Sequence, residues 1–132
     1  DRSRRAEFIA EVTPVRTMMV WNTTRGTVLA RRAGVADTFW LRLRGLLGRG
    51  ELAPGEGLIL RPTAAVHTFL MGFAIDVVHV DREGRVLQVR HQLERGRTST
   101  ARGGYAVVEL PAGTVAATGT RVGDVLRFEA VG

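Results

Sequence analysis

Two carboxylates stand inside strongly apolar runs: Asp76 in AIDVVHV and Glu109 in AVVELPAG. Burial raises a carboxyl's pKa unless a partner pairs with it. Such a group can serve as general acid or base, or as one half of a structural ion pair. Across an expected hairpin the structural partner of Asp76 is Arg90, and this is the reading the residues favour. The functional reading puts Asp76 in a pocket with His67 and Thr68, with Asp76, Glu109 and His67 as the candidate catalytic groups. A glycosidase would need its carboxylates about 5–5.5 or 6.5–9.5 Å apart, which spacing along a chain does not set.

The three histidines, His67, His79 and His91, recur every twelve residues. A metal needs three or four ligands converging at about 2.0–2.2 Å. Strand alternation keeps Asp76 off the face of His79, so the expectation is ordinary strand histidines and no metal. Thr68 and Ser99 are poor nucleophiles without a G-x-S-x-G elbow. No G-x-G-x-x-G joins a strand to a helix, and no motif calls for a cofactor. The chain contains no cysteine, which excludes disulfides, thiolate metal sites and a cysteine nucleophile.

All 19 basic residues are arginine, and the net charge is +6. Missing lysine excludes a Schiff base and a P-loop. The lysine-free, arginine-rich composition fits a GC-rich genome. A basic chain attracts anions, and Arg95, Arg97 and Arg102 cluster in one stretch. Single-strand binders interleave such charges with stacking aromatics. Phe39 and Trp40 sit instead in a core-like stripe, so the arginines read as a solvated face and nucleic acid is disfavoured as a partner.

The elements that must position these residues are mostly strands. The chain has 132 residues, 45% of them hydrophobic and 24% charged, which suits one soluble globular domain. No apolar run reaches the 18 or so residues of a membrane span. Residues 1–16 read as a loosely held arm, and residues 17–132 as one β-rich domain with recognisable structure from Met18 or Met19. No signal-peptide core is visible, so a cytoplasmic location is expected. Short strands are expected over 19–22 and 27–31, with a turn at Gly26 between them.

Asp37 looks like a helix N-cap. Phe39, Trp40, Leu43, Leu46 and Leu47 follow at helical spacing, giving one short helix near residues 37–47. Further strands are expected at 57–60, 66–71, 75–81, 85–91, 105–110 and 125–129, with one helical turn at 115–118. The clearest hairpin turns at 81–84, with Gly84 left-handed. That register pairs Val80 with Val86, His79 with Leu87 and Asp76 with Arg90. Residues 92–104 read as a long polar loop. The pattern predicts a mainly β (β-rich α+β) fold, an antiparallel barrel or jelly-roll-like sandwich.

Several strings in order carry a resemblance: RGLLGR (44–49), EGLIL (56–60), HTFLMGFAIDVVHVD (67–81), REGRV (82–86), VVELPAG (107–113) and VGDVL (122–126). Together they resemble the domain of unknown function 192 family of bacteria and archaea, over roughly residues 27–128. The resemblance implies a compact, mainly β domain with one or two short helices, and no established reaction, cofactor or partner. Many members carry a tryptophan and a polar lysine–asparagine–threonine stretch in the central motif. Here the stretch is FLMGF, residues 69–73, followed by Ala74 where proline is common. The resemblance therefore assigns no ligand through those side chains.

The functional expectation is a non-catalytic, monomeric module that binds a small molecule or a protein partner. Its site is expected at His67, Thr68, Met71 and Asp76, fringed by Arg97 and Arg102. An enzyme using Asp76 or Glu109 is the first alternative. Arginine-mediated anion or nucleic-acid binding is the second.

Overall fold

A computed structural model of the chain describes residues 16–36, 52–67, 73–94 and 96–131. Among the described residues the strands are β1 (Arg16–Asn22), β2 (Thr27–Ala36), β3 (Glu56–Leu60), β4 (Ala65–His67), β5 (Ile75–Val80), β6 (Val86–Leu93), β7 (Thr98–Thr100), β8 (Ala106–Pro111) and β9 (Leu126–Ala130). A short helix, α1 (Thr114–Thr118), precedes β9. The expected helix at 37–47 lies outside the described residues, whereas the helical turn expected at 115–118 is α1.

Seven strands form one sheet in the order β6-β5-β8-β3-β2-β1-β9. The sheet curls until its two edges meet at one end, where Arg85 bridges Val125. Leu126 N–H donates to Gly84 O and Val86 N–H to Asp124 O, both at 2.8 Å. The result is a mainly β half-barrel, as the strand pattern predicts. One pair departs from the antiparallel expectation: β2 and β3 run parallel, with Arg32 opposite Glu56 and Ala36 opposite Leu60. Parallel neighbours need a long crossover, and residues 37–55 supply its length.

The β5–β6 hairpin forms at the expected turn. Gly84 N–H donates to Asp81 O at 3.1 Å, and Gly84 is left-handed at φ 85°. Val80 faces Val86 as expected, but beyond that pair Leu87 has no partner on β5. His79 therefore faces Gln88, Val78 faces Val89 and Val77 faces Arg90. A bulge of one residue sends every later side chain to the other face. Val89 thereby joins Val78 and Val80 on the core side, and alternation separates His91 from His79.

Both faces of the sheet bury apolar side chains. The concave face is closed by Val20, Leu29, Val35, Ile59, Val78, Val80, Val86, Val108, Leu110 and Leu126, with Val115 of α1 packed among them. Each such side chain is worth about 1.5–3 kcal/mol when fully buried. The outer face carries a second cluster of Leu52, Leu58, Leu60, Val66, Ile75, Val77 and Val107. A two-stranded ribbon of β4 and β7 lies against it, with Val66 paired to Ser99. β7 interrupts the stretch expected to be loop at 92–104. Among the described residues no helix is long and apolar enough to cross a membrane.

Candidate binding site

The outer face is where the ionisable groups gather. On β8 the alternation places Ala106, Val108 and Leu110 inward, and Val107 and Glu109 outward. Glu109 stands between Leu58 of β3 and Val77 of β5. His79 is the next outward residue of β5 after Val77, opposite Val107. Glu109 and His79 are therefore diagonal neighbours on one face, a separation of about 7–8 Å between backbones.

Glu109 is 0% exposed, and neither carboxyl oxygen has a hydrogen-bond partner among the described residues. Burial among Leu58, Val77 and Val107 pushes the carboxyl up to about 8. The group is therefore a neutral carboxylic acid at pH 7. An unpaired buried polar group costs about 1–3 kcal/mol, so the fold carries Glu109 at a loss.

His79 is also fully buried. Its Nε2 lies 2.7 Å from Ser99 Oγ on the overlying ribbon, and Gln88 Nε2 donates to the same oxygen at 3.2 Å. Burial, and then the charge of Arg90 at the rim, push the imidazole down to about 4. The ring is neutral at pH 7, and its Nδ1 has no partner among the described residues. Glu109 and His79 supply three of the four unpartnered buried side-chain atoms among the described residues; the fourth is Trp21 Nε1.

The other expected site residues do not join this pair. Asp76 is fully buried, but its partners are backbone amides. Oδ1 accepts from Gln92 N–H at 2.9 Å. Oδ2 accepts from Gly113 N–H at 3.1 Å and Val115 N–H at 2.8 Å. The expected pairing with Arg90 does not form, because the bulge sets Arg90 opposite Val77. Three backbone N–H groups of its own fold thus converge on the Asp76 carboxylate. His67 is placed by its backbone in β4, opposite Thr98; Thr68 and Met71 lie outside the described residues.

Arg97 and Arg102 are exposed. Arg97 lines a shallow hollow of about 480 Å³ beside Arg90, His91 and Gln92 at the β6 edge. Arg102 sits on the turn closed by Gly104 N–H donating to Ala101 O. No group of three His, Cys, Asp or Glu among the described residues is placed to hold a metal.

Sequence reasoning singled out Glu109 and underrated His79. The signal for His79 was present: it alternates with Ile75 and Val77 on a strand without a single exposed residue. Ser99 carried none, since TST in a polar stretch does not announce a strand.

Comparison with known proteins agrees with this architecture. The family model DUF192, described as "Uncharacterized ACR", matches residues 6–128. A UPF0127 protein of Thermococcus sibiricus is 30% identical over 116 residues, covering 84% of this chain and 75% of that one. A protein of unknown function from Novosphingobium aromaticivorans superposes with a TM-score of 0.71 at 24% identity, over 84% of this chain and 83% of that chain. A putative transcription regulator from Sinorhizobium meliloti superposes with a TM-score of 0.72 at 20% identity, over 86% and 92%. At such identities the solved structures speak for the fold alone.

Proposed function

The chain belongs to the DUF192 family, described only as uncharacterized, and we propose that this member is a non-catalytic binding module for a small molecule. Its site is the outer sheet face at Glu109 and His79, beneath the β4–β7 ribbon whose Ser99 meets His79. One observation carries the reading: Glu109 is wholly buried, and both its oxygens are unpartnered among the described residues. Buried polar groups are almost always hydrogen-bonded. A carboxyl kept dry without a partner costs stability, and a ligand that completes its hydrogen bonds gives that cost a purpose. Asp76, held by three backbone amides, is assigned to the scaffold.

Two variants test this at pH 7. Glu109→Leu fills the same space without the polar atoms, and unfolding in urea should show it about 1–3 kcal/mol more stable than the parent. A ligand at 100 times its Kd adds about 2.7 kcal/mol, so thermal shifts against a metabolite panel should register it. Those shifts should fall to about half in Glu109→Leu, as a roughly tenfold loss of affinity requires. If Glu109→Leu is instead less stable than the parent, the carboxyl belongs to the fold and this reading fails.

A further inference from the structure

The hydrogen-bond directions on the outer face select a ligand chemistry. Gln88 presents its amide nitrogen to Ser99 Oγ, and an amide nitrogen only donates. Ser99 Oγ accepts that bond, and its own hydrogen needs an acceptor because Ser99 is 1% exposed. His79 Nε2 lies 2.7 Å away and is assigned as that acceptor. A neutral imidazole that accepts at Nε2 carries its hydrogen on Nδ1. His79 thus offers a buried N–H that nothing among the described residues receives.

Glu109, one diagonal step away, carries the second such hydrogen in its un-ionised form. Two unmet donors on one apolar face call for two acceptor oxygens. Arg90 adds a positive charge in the same row as Glu109, across Val77, and that charge is felt at His79. An amine would meet two donors and a like charge. A carboxylate would meet two donors and an opposite charge.

We propose that Glu109 and His79 Nδ1 together receive the carboxylate of a small apolar organic acid, one oxygen each, with Leu60, Val107 and Phe73 against its hydrocarbon body. This rests on the outer face being the binding site. Glu109 shares its hydrogen with the ligand, and no covalent bond is made or broken. The arrangement parallels other sites where a carboxylic acid kept neutral by an apolar surround acts as a donor.

The test uses the full chain labelled with ¹⁵N, with sodium benzoate and benzylamine as probes. Long-range ¹H–¹⁵N correlation of the His79 ring, assigned through His79→Gln, reports the tautomer. The free protein should show the hydrogen on Nδ1. Benzoate should shift that resonance saturably, and benzylamine should not. Glu109→Leu should weaken benzoate roughly tenfold, the loss of one hydrogen bond to a charged group. A hydrogen on Nε2 overturns the inference, as does benzylamine saturating the shift in place of benzoate. So does the absence of any benzoate shift up to its solubility limit. None of these touches the binding reading, which falls only if Glu109→Leu is less stable than the parent.

Discussion

Asp76 caps a helix to which it does not belong: its Oδ2 accepts the Val115 N–H at 2.8 Å from 39 residues away. The first residues of α1 have no cap of their own, since Gly113 precedes the helix and has no side chain to offer. Asp76 supplies the acceptor from β5. It also holds Gln92, the one described non-glycine residue with a positive φ. One carboxylate thus ties together β5, the far end of β6 and the start of α1.

Asp76→Asn should therefore weaken the fold. The amide keeps one acceptor oxygen and turns an NH₂ toward backbone donors. With hydrogen bonds to charged groups worth about 1.5–3 kcal/mol each, the loss should be about 2–4 kcal/mol. Urea titration of the variant checks it; a change under about 0.5 kcal/mol would show the carboxylate is dispensable.

Stability should depend on pH in a shape set by two buried groups. Glu109 moves from an ordinary 4.5 up to about 8, by burial. Its contribution is full below about 4.5 and is lost as pH rises through about 8. His79 moves from 6.5 down to about 4, by burial and then Arg90. Its contribution is present above 6.5 and lost as pH falls through about 4. Between about 4.5 and 6.5 the two slopes oppose, so the parent should be nearly level there and decline from 6.5 to 8. The slope cannot exceed about 1.4 kcal/mol per pH unit for one group. In Glu109→Leu the decline above 6.5 should disappear, and the rise from 4 to 6.5 should emerge. Urea midpoints at half-unit pH steps read both.

Asn22→Ala should be among the most damaging polar substitutions. Asn22 is fully buried at the end of β1. Its Nδ2 donates to Asp124 Oδ2 at 2.9 Å and Thr120 Oγ1 at 3.3 Å, and its Oδ1 accepts from Arg25 N–H at 3.0 Å. Alanine removes all three bonds, each worth about 0.5–1.5 kcal/mol, while Asp124 Oδ2 keeps Arg25 Nε and Arg121 N–H, and Thr120 Oγ1 keeps Thr118 Oγ1. A total near 3 kcal/mol, read as a lowered melting temperature, is expected. A shift of a degree or less would contradict it.

Gly84→Ala should open the half-barrel where its edges meet. A Cβ on Gly84 would run into the Leu126 carbonyl oxygen, and the φ of 85° is strained for any residue with one. Backbone on both sides must move, so the Leu126 N–H bond to Gly84 O should break first. Hydrogen exchange at the amides of Leu126 and Val86 should accelerate more than exchange in β8. Unchanged protection at Leu126 would refute the account.

The sequence carried the strands well and their arrangement poorly. Turn glycines and β-branched runs located the β5–β6 hairpin, and Gly84 adopts the conformation its position demanded. The bulge at Leu87 was invisible, because VLQV alternates acceptably in either register. That one residue moved Arg90 away from Asp76, whose structural partners are backbone amides instead. The parallel β2–β3 pair reflects closure in space, which local pattern does not encode. Glu109 was legible as a carboxylate in an apolar strand. Its lack of a partner was not, since that depends on what four strands and a ribbon bring to the same face.

The pairing of β1 with β9 bears on how the protein is made. Asn22 and Asp124 lie 102 residues apart, as do Thr23 and Val125. At about 5–20 residues per second of synthesis, β1 leaves the ribosome some 5–20 s before β9 exists. Throughout that interval Asn22 lacks its acceptors, and one edge of the growing sheet stands open. The half-barrel therefore closes only after translation has passed β9, and until then the nascent chain depends on whatever shields that edge.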